Sequence, residues 1–161
     1  MIAGAHGYSG RPVRGGALET VAGFVASLTQ SLLRGIGIAA QRAGTVLYLP
    51  GGFSYDITIG CTGLLPAAVL TVAILASPGS PRGKRRGLIV GVPIVLAVNL
   101  LRLVSLFWIG NYRPGDFEVA HTWIWEATLV QCTFFVWLVW SRWAAGEGGG
   151  QGVRLASPLS S

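Results

Sequence analysis

Residues 87–110 read GLIVGVPIVLAVNLLRLVSLFWIG. Asn99, Arg102 and Ser105 are the only strongly polar side chains in this run. A helix needs roughly 20 mostly apolar residues to cross a hydrocarbon core about 30 Å thick, and this stretch meets that length. Three other apolar runs resemble it. Ala17 to Ala40 is interrupted by Glu19, Gln30 and Arg34. Cys61 to Ala76 is short, with Pro66 in its first turns, where proline is best tolerated. Thr122 to Trp143 is rich in tryptophan and holds Glu126 and Gln131. The whole chain agrees with this pattern. Of its 161 residues, 52% are hydrophobic and 11% charged, with a mean hydropathy of +0.59. A soluble domain carries roughly 25% charged residues, so the composition excludes an ordinary soluble enzyme. It also excludes disorder over most of the length. The sequence predicts an all-α integral membrane protein of about four transmembrane helices.

One connection departs from helix. Gly44 to Ile59 holds two short β-prone runs around Pro50-Gly51-Gly52, which predicts an outward β-hairpin-like segment before the second helix. It ends at Gly60-Cys61-Thr62-Gly63 and so delivers Cys61 to the mouth of that helix. Residues 1–16 read as a flexible cytoplasmic tail, 17–143 as the transmembrane domain, and 144–161 as a disordered cytoplasmic tail. The first apolar run has no small-residue cleavage site and reads as a retained span.

Orientation comes from the basic residues. Net charge is +6, from 12 Lys/Arg against 6 Asp/Glu. In a membrane chain this excess serves topology and anionic headgroups, so no nucleic-acid partner is expected. Arg82, Lys84, Arg85 and Arg86 read as a cytoplasmic loop between Ser80 and Gly87. With four spans both termini then lie inside, together with Arg11, Arg14, Arg142 and Arg154. The hairpin, Cys61 and His121 fall on the outer face of the cell membrane.

Three side chains carry chemistry. Cys61, placed between glycines at a helix start, would gain thiolate character from backbone N–H groups and the helix dipole. The bland alternative is a small buried capping residue. Arg102 sits about 12 Å below the outer end of its span at helical rise. An arginine at such depth costs roughly 2.5–3.5 kcal/mol to insert and is a functional candidate by default. Its alternative is a structural ion pair with Glu126. Asn99, three residues earlier, shares its face. His121, at the outward start of the fourth span, could act as general acid or base, or simply sit at the interface. Cys with His makes an activated nucleophile and proton shuttle, and arginine in low dielectric stabilises an oxyanion. Together these are the parts of acyl transfer by cysteine. The two histidines and two cysteines lack metal-ligand spacing, so neither metal nor cofactor is expected. Cys132 reads as a packed thiol, His6 as a solvated tail residue, and the tryptophans as interface or core packing. Tyr55 and Asp56 fit either a pocket lining or ordinary hairpin positions.

These segments resemble the exosortase/archaeosortase family of polytopic membrane cysteine enzymes. The resemblance rests on Gly60-Cys61-Thr62-Gly63-Leu64, on Asn99-Leu-Leu-Arg102-Leu and on His121, and extends over roughly Gly23 to Trp140. It implies Cys61 as nucleophile, Arg102 as stabilising arginine and His121 as third member; Asn99, Gly60, Thr62, Gly63 and Glu126 are read beside them as supporting residues. It also implies a substrate: an exported single-span protein whose C-terminal sorting signal is cut and passed on through a thioester. Thr62 replaces the family's usual serine and Gly60 its frequent alanine. Many members have about eight spans, so four imply either a minimal enzyme or a partner membrane subunit. The rival readings are a non-catalytic subunit of an assembly or transport complex, with Arg102, Asn99 and Glu126 as interhelical glue, and a small channel lined by Arg102.

Overall fold

A computed structural model describes residues 16–149, with side chains to Ala144. His6, Arg11, Arg14 and Arg154, and most of the expected tails, lie outside the described residues. Helix α1 (Ala17–Gly35) leads into strands β1 (Gln41–Ala43), β2 (Val46–Tyr48) and β3 (Ser54–Asp56). A 3₁₀ turn (Ile59–Cys61) connects to α2 (Leu64–Ala76) and then α3 (Pro81–Tyr112). The last helical stretch is composite: a 3₁₀ turn (Pro114–Asp116), α4 (Phe117–Val119), a π-helical segment (Ala120–Ile124) and α5 (Trp125–Gly149).

The chain is mostly helical with one small sheet, as its composition predicts. Among the described residues two stretches, Pro81–Tyr112 and Pro114–Ala144, are long and apolar enough to cross a membrane. Helix α2 is apolar but has only 13 residues, about 20 Å at helical rise and short of the hydrocarbon thickness. Helix α1 has 19 residues, yet its polar side chains keep it below the apolarity of a spanning helix.

Local chemistry corrects several boundaries. Helix α1 stops at Gly35 rather than near Ala40 because Gly37, at φ +87°, closes it. The Ile38 amide donates to the Leu33 carbonyl at 2.9 Å and Gly37 to Arg34 at 3.0 Å, a Schellman closure that satisfies carbonyls left over at the helix end. The basic run after Ser80 is not a loop. Ser80 accepts from the Gly83 amide at 3.1 Å and Pro81 takes the first helical position, so α3 begins there. At the other end α5 runs to Gly149, which makes residues 144–149 helix rather than disordered tail.

The expected hairpin is present and has one more strand. Strands β2 and β3 pair antiparallel, Leu47 opposite Tyr55, across Leu49-Pro50-Gly51-Gly52. Proline at the second turn position and Gly51 at φ +75° suit a type II turn. Strand β1 pairs with β2, Arg42 opposite Leu47. Leu47 and Tyr55 share the buried face, and this face packs with Ile57, Leu33, Phe107 and Cys61 in one apolar cluster. A second cluster, Leu70, Ile74, Val95 and Trp140, joins α2, α3 and α5.

Helix α3 approaches its neighbours along a face of buried glycines, Gly83, Gly87 and Gly91. Small residues four apart let helix backbones come close. Trp140 fills the gap and donates from Nε1 to the Gly83 carbonyl at 3.1 Å. A Cβ on Gly87 would overlap the Trp140 indole. Gly87→Ala is therefore expected to destabilise the purified protein by about 1–3 kcal/mol through overpacking, read as a lower unfolding midpoint in detergent. An unchanged midpoint would mean that Trp140 is not held there.

Candidate active site

Cys61 closes the 3₁₀ turn where the sheet meets α2. It is 6% exposed, and its amide donates to the Thr58 carbonyl at 2.9 Å. Helix α2 begins only at Leu64. The cysteine precedes the first helical turn, and among the described residues no backbone amide hydrogen-bonds its sulfur, against the expectation that amides of the helix start serve it. The polar groups around its sulfur are side-chain hydroxyls. Tyr55 Oη lies 3.1 Å from Cys61 Sγ and Thr58 Oγ1 lies 3.5 Å away.

The backbone around the cysteine is pinned on both sides. Asn99, on α3, donates from Nδ2 to the Cys61 carbonyl at 2.8 Å. Thr62 donates from Oγ1 to the Ile59 carbonyl at 2.6 Å. Gly63 adopts φ +77°, and a Cβ there would press on the Asn99 side chain. Glycine is required at this position for both its backbone angle and the space. Gly63→Ala should cost about 1–3 kcal/mol and displace Asn99 from the Cys61 carbonyl. Slower alkylation of Cys61 together with a lower unfolding midpoint would show this, and two unchanged readings would refute it.

Arg102 is 3% exposed, and its Nε has no hydrogen-bond partner among the described residues. A groove of about 520 Å³ runs between α2 and α5. It is lined by Gly60 beside the cysteine, by Arg102 and Glu126, and by apolar side chains such as Val69, Phe134 and Trp137. Arg102 and Glu126 share this groove, but no ion pair joins them among the described residues, so the alternative reading of a structural ion pair is not met. That alternative rests on the similar depth of the two residues in their helices, which does not fix the direction of either side chain. The π-helical segment ahead of Glu126 bonds i to i+5 and shifts the phase of α5 relative to a regular α-helix.

His121 lies inside that π-helical segment. Its ring stacks on Phe117 at 5.7 Å and meets Tyr55 edge-to-face at 6.2 Å. No hydrogen bond joins His121 to Cys61 among the described residues; Tyr55 touches both. The structure thus gathers Cys61, Tyr55, Thr58, Asn99 and His121 at the junction of sheet and helices, with Arg102 in the adjoining groove. Tyr55 is buried, the more so for its aromatic neighbours. Burial first, and then the neighbouring Cys61, push its hydroxyl well above the ordinary tyrosine range, against the opposing pull of Arg102. Asp56 accepts from Thr45 Oγ1 at 2.8 Å across the hairpin.

The family model of the transmembrane exosortases, EpsH type, matches residues 16–139, which is most of the chain. The chain belongs to this family. Archaeosortase A of Haloferax volcanii is 33% identical over 99 residues, covering 55% of this exosortase-family chain and 31% of the archaeosortase. The chain thus spans about a third of that relative's length. No solved structure matches it.

Three residues of this candidate site carry no distinguishing signal in the exosortase-family sequence. Phe117 packs on His121, and Thr58 sits by the sulfur. Tyr55 reaches the same atom; in its strand, exposed Ser54 and Asp56 flank a buried position. The alternation is legible, but not what the inward face meets.

Proposed function

We propose that this chain is a membrane-embedded cysteine transpeptidase that cuts the C-terminal sorting signal of exported single-span proteins. One observation carries the proposal. Cys61 sits among side-chain hydroxyls, beside Gly60 at the edge of an apolar groove that also holds a buried arginine whose Nε has no partner among the described residues. In the reaction, the Cys61 thiolate attacks the scissile carbonyl and forms a C–S bond. Arg102 stabilises the resulting oxyanion. The C–N bond breaks as His121 protonates the leaving amine, leaving a thioester. His121 then takes a proton from an amine or water, which attacks the thioester and releases the thiolate. In this reading four helices cross the cell membrane, both termini are cytoplasmic, and the site faces outward. The substrate's sorting helix lies alongside α2 and α5.

Family membership supports this assignment, and so does the order of Cys61, Arg102 and His121 along the chain. The test is removal of the chain from its host, with mass spectrometry of surface-protein C termini as the readout. Retention of C-terminal apolar helices, reversed by restoring the gene, is the expected result. Unchanged C termini would overturn the proposal. The chain's short span relative to archaeosortase A favours one other reading, a subunit that works only with a partner membrane protein. In that case the phenotype also appears when the partner is removed.

A further inference from the structure

We propose that Tyr55 is a catalytic residue of this site, its hydroxyl donating the hydrogen bond that holds the Cys61 sulfur as a thiolate. The inference rests on the reading of Cys61 as nucleophile. Strand β3 turns Tyr55 inward opposite Leu47, with Phe53, Phe117 and His121 around its ring at centroid distances of 6.4, 5.6 and 6.2 Å. That packing fixes the hydroxyl 3.1 Å from Cys61 Sγ. A tyrosine needed only for packing could be phenylalanine. Here the one polar atom of the ring meets the one reactive atom of the neighbouring turn.

The two protonation states set the direction of the bond. With a thiol, either partner can donate; with a thiolate, only the phenol can. The titratable and charged groups around the phenol are Cys61, Asp56, Arg102 and His121. Burial, the sulfur and Asp56 favour the neutral phenol, and Arg102 alone of the named contributors opposes it. Tyr55 therefore keeps its proton and serves as a donor, not as a base. The role matters because, among the described residues, no backbone amide hydrogen-bonds the Cys61 sulfur and only hydroxyls reach it. When the thioester is resolved, the same donor stabilises the departing sulfur, and no net proton is transferred from Tyr55.

The test is the pH dependence of Cys61 alkylation by iodoacetamide, in full-length protein carrying Cys132→Ser so that one thiol reports. Tyr55→Phe should raise the apparent thiol pKa by about one unit, as expected for losing a hydrogen bond to a charged group. Labelling near neutral pH should slow about tenfold. The phenyl ring is kept, so membrane level and unfolding midpoint should hold. An unchanged pH profile in Tyr55→Phe overturns the inference. If that variant does not accumulate, difluorotyrosine at position 55 replaces it. Its more acidic hydroxyl should lower the thiol pKa, and no movement again overturns the inference. Processing of surface proteins separates the two failures. If Cys61→Ala abolishes processing while Tyr55→Phe changes neither processing nor the pH profile, the role of Tyr55 alone is lost. If Cys61→Ala leaves processing intact, the nucleophile reading falls and the role of Tyr55 with it.

Discussion

Cells whose only copy of the chain carries Cys61→Ala are expected to keep the C-terminal helix on their surface proteins, with processing lower by about 10³-fold or more. Removing a nucleophile leaves only what binding and oxyanion stabilisation supply. The informative companion is Cys61→Ser. A thiol reacts as its thiolate, whereas a serine hydroxyl requires a general base in hydrogen-bond contact. No such contact joins position 61 to His121 among the described residues, and Tyr55, which keeps its proton, is a poor base. Cys61→Ser should therefore be as inactive as alanine, although serine nearly matches the cysteine in shape. Immunoblots of membrane fractions check the second half of the prediction. Both variants should accumulate normally, because the cysteine contributes one small side chain to a cluster anchored by Leu33, Leu47, Ile57 and Phe107. Loss of processing accompanied by loss of protein would make Cys61 a packing residue.

Arg102→Ala should separate activity from stability even more clearly. Loss of one preorganised oxyanion donor costs about 10²- to 10³-fold in rate, so processing should fall by that factor. Insertion should not suffer, because a central arginine costs roughly 2.5–3.5 kcal/mol to place in a membrane and alanine removes that cost. The purified variant should unfold at the same midpoint as the native protein or above it. Arg102→Lys keeps a charge but not the planar fork of donors, and should recover part of the rate. Glu126→Gln is the control against the structural rival. If Arg102 and Glu126 acted together as interhelical glue, Glu126→Gln would reproduce the defects of Arg102→Ala in both stability and rate. The two side chains share a groove without an ion pair, so we expect Glu126→Gln to leave the unfolding midpoint unchanged. A lower midpoint in both variants would favour the non-catalytic subunit.

The sequence-derived elements and the structure part at identifiable points. Apolar runs place α2, α3 and α5 closely, because a long apolar stretch has one good solution in or near lipid. Hydropathy misses the start of α3, although Ser80-Pro81 signals it, because the basic residues after that pair read as a loop. It misses the end of α1 because Gly37 acts through its backbone angle, which hydropathy does not register. Strand β1 escapes because its three residues, Gln41, Arg42 and Ala43, are exposed and carry no alternation. The π-helical segment around His121 has no pattern of its own in a single sequence, and the phase of Glu126 is lost with it.

By itself, the sequence determined that the protein is mostly helical and apolar enough for a membrane, that a turn at Pro50-Gly51-Gly52 precedes Cys61, and that its short motifs resemble those of the exosortase family. Each of these is local: it depends on side-chain apolarity, on glycine and proline geometry, or on short motifs. Only the tertiary structure decided that Cys61 stands outside α2, that Tyr55 rather than a helix terminus reaches its sulfur, and that Arg102 and Glu126 share a groove without pairing. The reason is physical. A hydrogen bond is set by a few tenths of an ångström between groups on different elements. That distance depends on strand register, glycine contacts and helix phase acting together, and no single segment of the chain encodes it.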